Sequence, residues 1–471
     1  MEGAHLALFF ADHGFGRVVG HDFARPEEFD RSFKRFHVAW PAAEREAILA
    51  RVRASVELRL GDRYLEGIEG AGAVAVGPGW DLYPANAVLH DSGIQARCFS
   101  LIQLYLALSP GPVVGVSGSQ GKSTTSQLLG DMMEAAGLDV LYGGNYRHGR
   151  QCLDRLEHAG TATHLLLEIS NRHLKLLRRS PNLSVLTNVY PNHLDEHGGW
   201  DGYVEAKSRM VRFQSTADAA VLNADLEVTR AMAGLGQGRK LWFGHAQPPG
   251  MPDAAGVAVR ADGGIQSIGF GRMELAPGVL NLPGEHNLMN LAAAATAALE
   301  LGAGLDAIEA AARKFRGLKH RVQFIWDAAG VRYYDDLNSS TPTATLAALR
   351  SIERPLVWIL GGDDKGLDAT DLAREARGHV RLALALPGAG TDRLVAQLEA
   401  EQVAVERLPD LARAVTRATE AARPGDAVLL SPACPGFFSH YYVGADEDTG
   451  FKHLVRQATL ATSPPARTPP A

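Results

Sequence analysis

The chain has 471 residues, of which 46% are hydrophobic and 21% charged, which excludes a mini-protein scaffold and, at roughly 100–200 residues per domain, predicts two to four domains. No segment approaches the roughly 18 uncharged apolar residues of a bilayer span, and 47 basic against 53 acidic residues, a net charge of −6, exclude a dedicated duplex-DNA binder while leaving room for a local phosphate site. Cys98, Cys152 and Cys434 form an odd, sparse set without metal-type spacing, and the Met1-Glu2-Gly3-Ala4-His5 start has no basic-then-apolar order, so a reducing, cytoplasmic location without a signal peptide is expected.

Short apolar runs alternate with longer helical patterns, which predicts an α/β class with parallel sheets built from βαβ units. In chain order, a helix is expected over 4–12 and strands over 17–22 and 72–76, the latter running into Gly77-Pro78-Gly79. Strands follow at 113–116, 140–142, 164–167 and 185–188, then at 219–222 and 240–243, with a helix after Lys122. The Gly-rich stretch 250–271 reads as a small β region, and 288–299, mostly alanine and closed by Glu300, reads as a packed helix. A change of register near Gly317 opens a further α/β stretch with strands at 331–334, 356–360, 380–386 and 427–430. The tail 463–471, four of whose residues are proline, is expected to be disordered. Three domains result: 1–108, 109–317 and 318–462. Glycine, at 50 residues, exceeds its usual share of about 7%, and several glycines fall at predicted strand ends.

The strongest local signal is 113–125, Val-Val-Gly-Val-Ser-Gly-Ser-Gln-Gly-Lys-Ser-Thr-Thr. An apolar strand ends in a glycine-rich turn, and Lys-Ser-Thr opens a helix. Backbone N–H groups there can converge on a polyphosphate, with Lys122 balancing the outer phosphates and the Ser123 hydroxyl free to ligate Mg²⁺. The spacing departs from the Walker pattern: five residues separate Gly115 from Gly121, and two separate Gly118 from Gly121.

Downstream, the strand at 163–167 ends in Glu168-Ile169-Ser170, placing a carboxylate at the sheet edge where ligands bind in such folds. Taken alone, Glu168 reads either as a Mg²⁺ ligand or as a helix-capping acid. His193, after a proline-shaped turn at the same edge, reads equally as a metal ligand or a hydrogen-bonded loop residue. Lys207, on a helix that could fold back toward that edge, would by itself be a solvated lysine.

In combination these residues resemble the Mur ligases, ATP-dependent amide-forming enzymes of peptidoglycan precursor synthesis. The resemblance spans nearly the whole chain. It rests on Gly118-Ser119-Gln120-Gly121-Lys122-Ser123-Thr124, Gly143-Gly144-Asn145, Glu168-Ile169-Ser170, Thr187-Asn188 through His193-Leu194-Asp195-x-His197, and Tyr203-x-x-Ala206-Lys207. Further matches are Leu282-Pro283-Gly284-x-His286-Asn287-x-x-Asn290, Lys319-His320-Arg321, Gly361-Gly362-Asp363-Asp364-Lys365-Gly366 and Leu430-Ser431-Pro432-Ala433-Cys434. Within the family the chain looks most like the members that add D-glutamate to UDP-N-acetylmuramoyl-L-alanine.

The resemblance implies a Rossmann-like N-terminal part, a central P-loop ATPase-type parallel sheet and a Rossmann-like C-terminal part, working on ATP with two Mg²⁺ ions. Gly118, Ser119, Gln120, Gly121, Lys122, Ser123 and Thr124 would hold the nucleotide, with Asn287, Asn290 and Arg321 beside it. Ser123 and Glu168 would hold one Mg²⁺. His193 would help hold a second, together with Lys207 carbamylated by CO₂. Asp22 and Gly79 would face the uridine diphosphate, Asn145, Ser170 and His193 the muramoyl substrate, and Lys365 the incoming amino acid. A monomer with no nucleic-acid or membrane partner is expected.

Departures are local. The family's opening strand and glycine turn do not precede the helix at 4–12. Asn171-Arg172-His173 replaces Ser-Phe-Gln, Asn192 replaces an aspartate, and 335–340 reads Asp-Asp-Leu-Asn-Ser-Ser in place of Asn-Asp-Ser-Lys-Ala-Thr. Gly436 stands where a serine would contact the D-glutamate carboxylate. These changes leave L-glutamate or another amino acid open as the substrate. A catalytically silent ATP-binding paralogue is opposed by the joint retention of Glu168, His193 and Lys207.

Overall fold

The structure, a computed structural model, describes residues 2–36, 42–145, 152–247, 249, 254–271, 273–280, 282, 284–364, 366–437 and 450–462. Lys365 and the tail 463–471 therefore lie outside the described residues. The chain folds into two compact units, Met1–Leu280 with Glu285–Lys314, and Asn281–Gly284 with Phe315–Ala471.

The first unit opens with helix α1 (Glu2–Asp12) and two separate two-stranded parallel pairs, β1 (Val19–Asp22) with β2 (Glu57–Leu60) and β3 (Val74–Ala75) with β4 (Cys98–Phe99). Leu6 of α1 is buried in the same cluster as Leu101, Ile102, Leu165 and Leu167, so the N-terminal segment shares a core with the central sheet. That sheet comprises β5 (Val113–Ser117), β6 (Val140–Gly144), β7 (His164–Glu168), β8 (Leu183–Leu186), β9 (Ala219–Asn223), β10 (Arg239–Gly244), β11 (Gly256–Val259), β12 (Ile265–Ile268) and β13 (Glu274–Leu275). Their order is β13-β12-β11-β10-β9-β8-β5-β7-β6. The pairs from β6 to β11 are parallel, and β12 and β13 close the other side as an antiparallel ribbon. The Gly-rich stretch expected as a small β region thus extends the main sheet.

All five residues of β5 are buried, the pattern of a strand covered on both faces. It runs between β7, in register Val116↔Glu168, and β8, in register Ser117↔Leu186. Helix α2 (Lys122–Ala135) follows it and packs on α3 (Glu285–Glu300) and α4 (Leu305–Lys314). The alanine run predicted as a packed helix is α3, in which 292–295, 297 and 298 are fully buried; short side chains let it approach both α2 and the sheet.

The second unit holds β14 (Gln323–Ala328), β15 (Val331–Asp335), β16 (Leu356–Gly361), β17 (Val380–Ala385), β18 (Val405–Arg407) and β19 (Ala427–Ala433), ordered β14-β15-β19-β16-β17-β18. Only β14 runs antiparallel. Along β16, Leu356, Trp358 and Leu360 enter one core while Val357 and Ile359 enter another, the alternation of a strand with apolar layers on both faces. Trp358 Nε1 donates to Ser431 O at 2.7 Å, satisfying the one polar atom of a buried indole. The three cysteines are free and buried, and no helix among the described residues is long and apolar enough to cross a membrane.

Candidate active site

The loop between β5 and α2 is shaped by two glycines in the left-handed region, Gly118 at φ +151° and Gly121 at φ +78°. A Cβ on Gly118 would lie 1.9 Å from Thr187 Oγ1, and one on Gly121 would lie 2.2 Å from Asn290 Oδ1. Neighbouring chain tethers the loop. Ser119 N donates to Asn188 O at 3.0 Å, Gln120 N to Asn188 Oδ1 at 2.9 Å, and Thr187 Oγ1 to Gln120 O at 2.6 Å. Thr125 Oγ1 donates to Asn290 Oδ1 at 3.3 Å, tying α2 to α3. Asn287, half-buried, lies on the first turn of α3. Lys122 Nζ donates to the carbonyls of Gly118 and Ser119 at 3.0 and 3.1 Å, so the ammonium lies along the loop. Ser123 and Thr124 occupy the half-buried first turn of α2, where the helix dipole favours an anion.

Glu168, last residue of β7, is 3% exposed. Asn145 Nδ2 donates to its Oε1 at 2.9 Å, and Oε2 is buried without a hydrogen-bond partner. An ionised carboxylate oxygen in that state lacks its compensating charge. Among the described residues, no three His, Cys, Asp or Glu side chains form a metal cage of their own. Mg²⁺ commonly takes one or two carboxylates and leaves its other positions to phosphate and water, so Glu168 beside the phosphate loop fits that ion.

Lys207, on helix Trp200–Arg212, is fully buried. Its Nζ donates to Gly118 O at 2.9 Å and Ser117 Oγ at 3.1 Å and lies 5.4 Å from the centre of the Tyr203 ring. Burial, reinforced by the Lys122 charge, pushes its amine well below the usual lysine range. Tyr203 OH in turn lies 2.8 Å from Ser119 Oγ. The helix therefore folds back to the loop, as the sequence reading allowed, and Lys207 is not the surface lysine its spacing alone suggested.

His193 stands at φ +52°, a costly conformation for a residue with a Cβ, and its ring Nδ1 lies 3.0 Å from Glu196 Oε1. Arg172 makes a two-pronged bond to Glu196, Nε to Oε2 at 2.8 Å and Nη2 to Oε1 at 2.7 Å. That hydrogen bonding, outweighing the opposite push of burial, holds the Glu196 carboxyl down to about 2. Ser170 Oγ is 2.8 Å from His173 Nδ1. Asn171 Nδ2 is 3.0 Å from His197 Nε2, and burial pushes the His197 ring down to about 4.

Residues 116–298 match the model of the Mur ligase middle domain, and residues 320–434 that of the Mur ligase glutamate ligase domain. A relative from Symbiobacterium thermophilum, named UDP-N-acetylmuramoylalanine--D-glutamate ligase, is 38% identical over 88% of this chain and 89% of its own length. The chain belongs to the Mur ligase family. A second relative with the same name, from a Roseiflexus species, is 36% identical over 71% of this chain and 74% of its own. A crystal structure of MurF from Acinetobacter baumannii shares the fold, with a TM-score of 0.55 at 17% identity over 79% of this chain and 88% of that one.

Other residues that the Mur ligase pattern singles out lie in distinct places. Asp22 ends β1 and its Oδ1 accepts Ala24 N at 2.8 Å. Gly79 sits at φ −101° with room for a side chain, so its backbone does not require glycine. In the second unit, Arg321 N donates to Leu318 O at 3.2 Å, and the Arg321 charge acts on the buried Asp336. The Cys434 thiol, pushed up to about 11 by burial, lines a cleft with Asp363, Asp364, Arg393 and Pro435. Gly436, at φ +76°, turns the chain just beyond.

Spacing in the sequence did not reveal Tyr203 on Ser119, Asn145 on Glu168, or the Arg172–Glu196 pair. Arg393 was likewise missed, since it stands on helix Ala389–Ala400, outside every motif. For Arg172 a signal existed: a cation had replaced an aromatic residue of the family pattern.

Proposed function

We propose that this chain is a ligase that joins D-glutamate to UDP-N-acetylmuramoyl-L-alanine with cleavage of ATP, in peptidoglycan precursor synthesis. The observation that carries the reading is a buried lysine amine on Ser117 Oγ and Gly118 O, together with a buried, half-satisfied carboxylate on the strand paired with β5, where β5 runs into the phosphate loop. The names of relatives that align along most of the chain supply the substrates.

In this reading 1–108 takes the uridine diphosphate, through Asp22 and Gly79; 109–317 takes ATP; and 318–462 takes the amino acid, through Lys365. The N–H groups of 118–121, with Lys122, Ser123 and Thr124, receive the phosphates, and Asn287, Asn290 and Arg321 serve the rest of the nucleotide. Ser123 and Glu168 would hold one Mg²⁺, and His193 with carbamylated Lys207 a second. When bound, the ions neutralise phosphate charge as two anions approach. Asn145 holds Glu168 in position, and with Ser170 faces the muramoyl substrate. The alanyl carboxylate attacks the γ-phosphorus, the bond to ADP breaks, and an acyl phosphate forms. The glutamate amine then attacks the acyl carbon, losing a proton, and the C–O bond breaks to release phosphate. Lys207 is suited to carbamylation because the neutral amine is the form that adds to CO₂, creating an N–C bond and shedding one proton; its depressed pKa supplies that form.

The test is incubation of the full chain with UDP-N-acetylmuramoyl-L-alanine, ATP, Mg²⁺ and D-glutamate, following phosphate and product mass. Equal amounts of both are expected, and absence of phosphate with every amino acid tried overturns the reading. Gly436, placed where the family has a serine for the glutamate carboxylate, favours a second reading with L-glutamate or another amino acid. Product with L-glutamate and none with D-glutamate would establish it.

A further inference from the structure

We propose that Glu196 is the positioning residue for His193, and that Arg172 and Lys175 hold Glu196 to that task. The inference rests on the reading of His193 as a group that faces cation and substrate. His193 occupies a left-handed backbone conformation at the start of a short helical turn, Leu194–His197. Nδ1 meets Glu196 Oε1 at 3.0 Å. A carboxylate only accepts, so the shared proton belongs to Nδ1, and in the neutral ring, which is 41% exposed, the lone pair is then on Nε2.

Glu196 itself is immobilised from two directions. Its side chain is 8% exposed, and Arg172 binds both oxygens, at 2.8 and 2.7 Å, a geometry that fixes the carboxylate plane. The Lys175 ammonium donates to the Glu196 carbonyl and to Asp81 Oδ2. Asp81 lies two residues beyond Gly79, so the same ammonium links the turn assigned to the uridine diphosphate with the segment that carries His193. Arg172 stands where the family pattern has phenylalanine; in this chain a charged clamp on Glu196 takes the place of an aromatic side chain. Such outer partners set the tautomer and direction of a ligating imidazole, and their loss typically lowers metal affinity about 10–100-fold.

The experiment uses the full chain labelled with ¹⁵N-histidine, without nucleotide or metal, and assigns the His193 ring by comparison with His193→Asn. The native ring is expected as the Nδ1–H tautomer. Glu196→Ala should move it toward Nε2–H and raise the Mg²⁺ concentration for half-maximal phosphate release about tenfold. Glu196→Gln retains an acceptor oxygen and should restore the native tautomer. If Glu196→Ala does not fold, Arg172→Met, at a site 36% exposed, should shift the tautomer in the same direction. An unchanged ring signal in both variants overturns the proposal. Because the ring is read without turnover, failure of the ligase reading and failure of this inference give different results.

Discussion

Lys207 carries the heaviest chemical demand of any single residue in the site. A fully buried lysine nitrogen whose acceptors, Gly118 O and Ser117 Oγ, are both neutral is costly to keep charged, so beside Gly118 the neutral amine is favoured. Lys207→Ala is expected to abolish turnover, and short carboxylic acids should restore part of it by occupying the vacated space. Unaltered phosphate release in the variant would refute the carbamate. Asn145→Ala removes the Asn145 Nδ2 hydrogen bond to Glu168 Oε1, so that among the described residues both oxygens of a buried carboxylate would then depend on the ion. The expected result is a Mg²⁺ requirement raised about tenfold with the fold intact, read from phosphate release across a Mg²⁺ titration.

At the scale of the element, the phosphate loop is a contact surface that glycine alone permits. Gly121→Ala would drive a methyl group into Asn290 at a positive φ, and Gly118→Ala would drive one into Thr187. Each should destabilise the first unit by about 1–3 kcal/mol and weaken ATP binding, measurable by urea unfolding and by titration with a fluorescent ATP analogue. Native binding by Gly121→Ala would show that the loop relaxes around the methyl. The loop was legible in the sequence because strand, turn and helix start are contiguous, and the buried strands β5 and β16 were legible as unbroken apolar runs. Strands β2, Glu-Leu-Arg-Leu, and β18, Val-Glu-Arg, were missed: each pairs with a single neighbour and carries charge. For β14, Gln-Phe-Ile-Trp-Asp-Ala, polar residues at either end and a bulge at 324–326 blur the period. The parts of the site that escaped notice, Asn145 with Glu168 and Ser119 with Tyr203, join positions 23 and 84 residues apart, and no local pattern encodes such a meeting.

At the scale of the molecule, one buried carboxyl makes the second unit sensitive to pH. Asp336, buried in the second, is pushed up to about 7 by desolvation; its Oδ1 accepts Val322 N at 3.1 Å and its Oδ2 accepts Ser431 Oγ at 2.7 Å. Below the usual carboxyl range both folded and unfolded chains hold the proton. As pH rises toward 7 the unfolded chain releases it and the folded chain does not, so stability falls, by a few kcal/mol at most. Urea unfolding of the second unit at about pH 5 and about pH 8 should show this loss, and Asp336→Asn, uncharged at either pH, should flatten it. An equal decline in that variant would assign the effect elsewhere. The central sheet has a further consequence at this scale. Its outermost strand beyond β12, β13, spans two residues, and Glu274 there lies 3.8 Å from Arg260. So short and charged a margin gives an arriving chain almost no backbone to copy, and on that flank nine strands can be assembled without leaving a seed for fibrils.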